Sequence, residues 1–322
     1  MTVTRALSGH PNVSPKAKAA VLAACQALDY RRNTLASSLR RNRSNSIGVL
    51  VPTFNHSFYG RMLTQLEMDA RQVDCHLIVV QGDQSKASVT LEWADIEFLL
   101  SRQIDGLVVD MALPSEVEAR LAHEKLPLVF VDAPPQLDCF DFVGTQDEEG
   151  MEQLVGHLIG AGHTRIAFLA GSSGSRTSDP RLAGYKKALH DHDLACDPDL
   201  VIHSNFSYDS GYAAAKSLLK RTRDFTAIAG VNDYVAIGAM AALHEAGLSV
   251  PNDVSVGGFC GDENGIFCIP SLTTVKQPIE QIASKALGLL LTRITHPDNP
   301  PVCLRLPGRL LPRASCAAPP HL

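Results

Sequence analysis

Four short runs in the first half of this chain, IGVLV, LIVV, GLVV and LVFV, are apolar on both faces. A strand that alternates apolar with polar residues leaves one face in water. A strand that does not alternate must be covered on both sides, the condition of a parallel sheet flanked by helices. With the helical stretches between them, these runs place strands at 47–51, 76–81, 106–110, 128–132 and 142–145. A second series at 165–171, 200–205, 227–232, 254–260 and 273–275 repeats the alternation. Alternation run through twice predicts an α/β protein with two doubly wound lobes, similar in architecture and not in sequence. PVCLRLPGRLLPR near the end reads as a returning strand, and ASCAAPPHL beyond it as a frayed tail.

The first 44 residues carry a different charge from the rest. They hold eight basic residues (Arg5, Lys16, Lys18, Arg31, Arg32, Arg40, Arg41, Arg43) against one acid, Asp29, for a net +7. The whole chain of 322 residues is at −5, which leaves −12 on residues 45–322. A basic arm on an acidic body points to an arm that meets a polyanion and a body with another task. A segment of about 40 residues seldom holds a core alone, so the arm is expected to rely on a partner. No apolar run reaches the roughly 18 residues of a membrane span, and the N-terminus lacks the apolar stretch of a secretory signal. The eight cysteines are scattered, with no CxxC pair. They read as free thiols of a cytoplasmic protein, with no metal site.

Within the arm, Ser14 is a good N-cap and Pro15 sits where the first helical position tolerates proline. The helix should run to about Asp29, with Val21, Leu22, Cys25 and Leu28 on one apolar face. Asn33 is placed to cap a third short helix over 34–39, followed by the basic cluster and a polar linker.

The strings TVTRALSGHPNVS, ALDYRRN and LASSLRRNRSNSIGVLVP match, in order and spacing, a known family. The chain resembles the lactose/galactose-repressor (LacI/GalR) family of bacterial transcription regulators, and the resemblance continues to about residue 313. It implies a helix-turn-helix headpiece in which TVTR opens the recognition helix. Arg5 then matches a position that reaches base edges, where its fork pairs with guanine. Thr2 and Thr4 share that helix. Asn33, Ser38 and Leu39 fall in the family's hinge helix. Leu39 matches the leucine that wedges into a minor-groove step, and Arg40, Arg41 and Arg43 match phosphate anchors. Two departures stand out. The family has a further helix and turn before TVTR, so the headpiece is expected to be truncated or its start to be set too late. Arg32 stands where the family has proline.

The resemblance also implies an effector domain like the periplasmic sugar-binding proteins, with ligand held between the lobes. In open α/β sheets such ligands sit outside the strand C-termini. Phe58 and Tyr59, after the first strand, match aromatic pocket positions. Arg181 of RLAG matches the arginine that binds effector. Asn232 matches a hydrogen-bonding position, with Asp233 next to it as a helix cap. Phe206 matches a pocket wall and Glu149 an acid at the cleft. At Cys260 the family has aspartate, for which Asp262 is a candidate substitute. Loss of that carboxylate leaves Arg181 one negative neighbour fewer, which argues for a sugar acid over a neutral sugar. His163, in GAGHTRI, is expected to be structural.

The expected organisation is a truncated headpiece over 1–32, and a hinge helix and linker over 33–45. An N-terminal lobe then spans 46–162 with 277–306, and a C-terminal lobe spans 163–276 with 307–322. The expected partners are a palindromic double-stranded DNA operator, a sugar or sugar-acid effector, and a second copy in a homodimer. Neither GxGxxG nor a P-loop is present, and no catalytic set is evident. A cofactor-free, non-enzymatic repressor is the reading. A ligand sensor without specific DNA binding is the alternative.

Overall fold

The computed structural model describes residue 6 and residues 12–28, 43–82 and 92–319. The chain divides into two compact units, residues 1–45 and 46–322.

In the first unit, helix α1 (Pro15–Ala27) starts as the sequence predicts, the Ser14 hydroxyl accepting the Ala17 N–H at 3.3 Å. Of the apolar face expected on it, Leu22 and Leu28 are exposed and Val21 and Cys25 half-buried.

The second unit begins with β1 (Ser46–Val51), α2 (Ser57–Gln72), β2 (His76–Gln81), α3 (Trp93–Ser101), β3 (Gly106–Val109), α4 (Ser115–His123), β4 (Leu128–Val131) and β5 (Asp141–Thr145). It continues with α5 (Asp147–Gly160), β6 (Ile166–Ala170), α6 (Ser178–Asp191), β7 (Val201–His203), α7 (Tyr208–Arg221), β8 (Ala227–Gly230) and α8 (Asp233–Glu245). Then come β9 (Ser255–Cys260), α9 (Asn264–Phe267), β10 (Thr273–Lys276), α10 (Ile279–Thr295), β11 (Cys303–Leu306) and β12 (Arg309–Leu311).

These strands form two sheets, in the orders β11-β5-β4-β3-β1-β2 and β12-β10-β9-β8-β6-β7. The first is parallel throughout, and in the second only the β10–β12 pairing is antiparallel. Of the runs expected to be covered on both faces, β1, β3 and β4 are buried almost throughout, whereas LIVV of β2, at the sheet edge, is only half-buried.

Three findings revise the sequence reading. Residues 46–162 were expected in one lobe, yet Met151, Leu154, Val155 and Leu158 of α5 lie in the core of the second sheet. The chain therefore leaves the first lobe at residue 146. The terminal segment, expected to pass from one lobe to the other after residue 306 as a single returning strand, yields two strands, one per sheet, with Pro307 and Gly308 between them. Any Cβ on Gly308 would come within 2.7 Å of Val275 Cγ1, so a small residue is needed at this crossing. The tail is pinned: Ser315 is fully buried, its hydroxyl donating to the Val256 carbonyl at 2.5 Å and accepting the Thr273 N–H at 2.8 Å. His163 holds the same corner, with ring nitrogens 2.8 Å from Thr226 Oγ1 and 2.9 Å from the Ala317 carbonyl, a structural role.

The chain crosses between the lobes at 146, at 277–278 and at 307–308. Each sheet also reverses its strand order once, between β1 and β3 and between β6 and β8. Loops diverge at such points and leave a crevice at the strand C-termini.

Candidate functional site

Loops and helix starts after the strands of both lobes supply one cluster. From the first lobe come His56, Ser57 and Tyr59 after β1, Asp110 after β3 and Asp132 after β4. From the second come Arg181 after β6, Phe206 after β7, Asn232 after β8 and Cys260 with Asp262 at and after the end of β9. Asp147 and Gln277 stand at two of the crossings.

Arg181 is the centre. It is 4% exposed, donates from Nε to Asp147 Oδ1 at 2.8 Å and from Nη1 to the Val231 carbonyl at 3.0 Å, and lies 4.1 Å from the Phe259 ring centroid. Burial opposes its charge, and Asp147 and Asp132 outweigh that, so the guanidinium stays ionised. Burial pushes Asp147 up to about 6 against the pull of Arg181, still ionised at neutral pH. The sequence pointed to Glu149 as the cleft acid. It stands exposed on α5, two residues and some 200° of helical turn from Asp147. With Asp147 paired to Arg181 and Asp132 acting on it, the expected shortage of negative charge around the arginine does not exist.

Asp110 and Asp132 extend the acidic character. Asp110 is 2% exposed, and burial with the neighbouring Asp132 holds its carboxyl well above the usual carboxylate range. Asp132, with φ +58°, accepts from Gln277 Nε2 at 3.2 Å, and the same amide donates to Thr145 Oγ1 at 2.9 Å. Tyr59 feels both: burial, then Asp110 and Asp132, push its hydroxyl above the ordinary phenol range. The pair of aromatics after β1 divides in two. Tyr59 is half-buried among these charges, whereas Phe58 is 4% exposed in the first-lobe core and meets Tyr59 edge-on at 5.3 Å.

On the second-lobe side, Asn232 caps α8, its Oδ1 accepting the Val235 N–H at 2.8 Å while Nδ2 donates to the Phe206 carbonyl at 3.0 Å. The cap is thus Asn232 and not Asp233. Asp233 instead accepts from Thr274 Oγ1 at 2.5 Å and from the Asp262 N–H at 2.6 Å. Phe206 has φ +68°, and its ring covers Gly171, where a Cβ would come within 2.5 Å of it. Cys260 is buried with φ +128°, a backbone region that L side chains resist; burial and then Asp233 push its thiol up.

Asp262 does not take over a ligand-facing carboxylate. It accepts a short hydrogen bond from Ser57 Oγ of the first lobe and the Asn264 N–H at 2.7 Å. Beside it, the Tyr234 hydroxyl accepts the Ser57 N–H at 2.9 Å. His56 stacks on the Tyr234 ring at 4.0 Å between centroids, and its Nδ1 accepts the Phe58 N–H at 3.2 Å. A further clasp is Arg176, which reaches from the second lobe to Glu118 Oε1 at 2.5 Å and the Leu113 carbonyl at 2.9 Å.

Sequence reading missed His56, Asp110, Asp132, Asp147, Tyr234 and Gln277. The two aspartates carry a legible signal, since each ends an apolar run (GLVVD, LVFVD) at the strand terminus facing the crevice. Of the expected DNA-contacting residues only Arg43, which is exposed, is described. Thr2, Thr4, Arg5, Asn33, Ser38, Leu39, Arg40 and Arg41 lie outside the described residues. Among the described residues no group of His, Cys, Asp and Glu has metal-site geometry, and no helix is long and apolar enough to cross a membrane.

Two sheets, parallel except for the β10–β12 pairing and joined by three crossings, with a polar cluster between their strand ends, define a two-lobed ligand-binding module. Residues 155–316 match the family model of a periplasmic binding protein-like domain. Over 99% of its length the chain is 32% identical to the HTH-type transcriptional regulator AscG of Escherichia coli (strain K12), covering 95% of that protein. The structure resembles that of the lac repressor dimer bound to operator and the anti-inducer ONPF, with a TM-score of 0.88 and 27% identity over 98% of this chain and 95% of that one. It also resembles a LacI family regulator from Enterococcus faecium with bound ribose, with a TM-score of 0.76 and 27% identity over 85% and 99% of the two chains. The chain belongs to the LacI family of transcriptional regulators.

Proposed function

We propose that this protein is a cytoplasmic repressor, acting as a homodimer on a palindromic operator, whose DNA affinity is set by a small polyhydroxylated effector held between the lobes. The observation that carries the effector site is the convergence of Arg181, Asp132, Tyr59, Asn232 and Gln277 on one crevice from both sheets. Hydroxyls donate to carboxylates and accept from a guanidinium and amides, so this set suits a sugar. The ribose-bound relative supports the same class. The acids around Arg181 weigh against a sugar acid. No turnover is proposed.

Ligand acts through the contacts that bridge the lobes, Ser57–Asp262, Ser57–Tyr234 and Arg176–Glu118. A ligand that prefers one lobe arrangement shifts the population by its differential affinity. The chain enters the first lobe at Ser46, directly after the hinge segment, so movement of that lobe is the route to the DNA-binding arm. Leu39, as a minor-groove wedge, and Arg40 and Arg41, as phosphate anchors, belong to this proposal.

The test is fluorescence anisotropy on DNA from upstream of the gene, across a salt series, with and without sugars. Sequence-selective binding that a sugar alters, and that Leu39→Ala weakens, is the expected result. Weak, steeply salt-dependent binding with no sequence preference and no response to any sugar would leave only a basic arm on phosphates.

A further inference from the structure

We propose that the ligand of the interlobe site carries an ammonium group, as in an amino sugar, seated against the carboxylates of Asp110 and Asp132. The inference rests on the reading of the crevice as the effector site and names the chemistry of its occupant.

Six carboxylates are buried among the described residues: Asp110, Glu118, Asp141, Asp147, Asp233 and Asp262. Five of them have donors. Glu118 accepts from Arg176 and the Gln136 N–H, and Asp141 from Arg293 and the Val302 N–H. Asp147 accepts from Arg181, Asp233 from Thr274 and the Asp262 N–H, and Asp262 from Ser57 and the Asn264 N–H. Asp110 is the exception: its Oδ2 is the one buried side-chain polar atom among the described residues without a hydrogen-bond partner. A buried acceptor without a donor costs free energy that a fold normally avoids.

Position makes this more than a flaw in packing. Asp110 directly follows β3, at the strand reversal of the first sheet, so it stands at the strand end that borders the crevice. The groups that face it are acidic or neutral: Asp132 and the Tyr59 hydroxyl. Arg181 acts on Asp132 and Tyr59, but its Nε and Nη1 are committed to Asp147 and the Val231 carbonyl. Arg181 is thus the cation that acts on Asp132 and Tyr59, and it is already paired to Asp147. A neutral hydroxyl supplies Asp110 with a donor but brings no charge to offset the burial and the neighbouring Asp132 that hold its carboxyl above the usual range. A carboxylate ligand adds to the imbalance. An ammonium supplies three donors and the missing positive charge together.

The test is calorimetric titration of the full chain with glucose and galactose, and with the amino, N-acetylamino and uronic acid forms of each. The amino form is expected to bind at least about tenfold tighter than its neutral parent, the gap between a charged and a neutral hydrogen bond. N-acetylation should abolish that gain, and Asp110→Asn should remove it, lowering the affinity for the amine at least about tenfold more than that for its neutral parent. The Asn variant keeps the size of the side chain and removes a carboxyl whose Oδ2 has no donor, so its melting temperature should not fall below that of the wild type. A neutral sugar that binds as tightly as its amine, or an amine unaffected by Asp110→Asn, would overturn the ammonium and leave the effector site standing. Absence of binding by every member would overturn the sugar-effector reading itself.

Discussion

Arg181 and Asp147 form an ion pair of 2.8 Å whose side chains are 5% and 2% exposed, and the pair joins the start of α5 to α6 at the floor of the crevice. Removing either partner leaves the other charged and buried. Arg181→Ala and Asp147→Ala should each cost about 3–5 kcal/mol of unfolding free energy. The double variant should lose less than the sum. A double-mutant cycle by urea denaturation measures this, and strict additivity would show that the two charges do not depend on each other.

Arg176 and Glu118 clasp the lobes on a different side. The arginine side chain is 16% exposed, the glutamate is fully buried, and the arginine also donates to the Pro134 and Leu113 carbonyls of the first lobe. Arg176→Ala should open the two-lobed unit, seen as a larger radius of gyration by X-ray scattering, and cost about 3 kcal/mol. An unchanged scattering curve would mean that the remaining contacts hold the lobes unaided.

His56 is held neutral. Burial lowers its pKa from 6.5 to about 4, with Asp262 pulling the other way and Arg181 adding to the fall. A folded-state pKa below the unfolded one contributes stability that is present above 6.5 and lost as pH falls towards about 4. Asp147 and Asp233, both raised to about 6, act in the opposite sense, their contribution being lost as pH rises from 3.8 through that value. The difference between wild type and His56→Asn, which keeps a capping acceptor, isolates the histidine. Wild type should lose about 2 kcal/mol more than the variant between the two pH limits in urea titrations. Parallel curves would place the histidine charge elsewhere.

Cys260 occupies the position where the family has aspartate, yet its surroundings are already acidic. Asp233, Asp262 and Asp132 all disfavour a negative charge on it. Cys260→Asp should therefore destabilise the protein by about 1–3 kcal/mol, and Cys260→Ser by less. Thermal melts of the two variants decide this. An aspartate variant as stable as the wild type would show that the pocket accepts a further carboxylate.

The parallel sheets were legible because burial on both faces leaves its mark in every residue of a strand: IGVLV and LVFV admit no solvent-facing side. The strings that hold Arg181, in the first turn of α6, and Asn232, at the start of α8, were legible because each follows a strand that is apolar on both faces. The acid that meets Arg181 was not. Residues 147–149 read Asp-Glu-Glu, and only the rotation of α5 against α6 selects Asp147 and turns Glu149 outward. Phe58 and Tyr59 are a similar case, two adjacent aromatics that the packing of α2 divides between core and crevice. The tail looked frayed because nothing near it in sequence binds it, whereas Ser315 is anchored by Val256 and Thr273. Element type thus follows from neighbours a few residues apart, which the chain states by itself. The facing of each element, and with it the acidic character of the crevice, depends on contacts such as Ser57 with Tyr234, 177 residues away, which exist only after the lobes have docked.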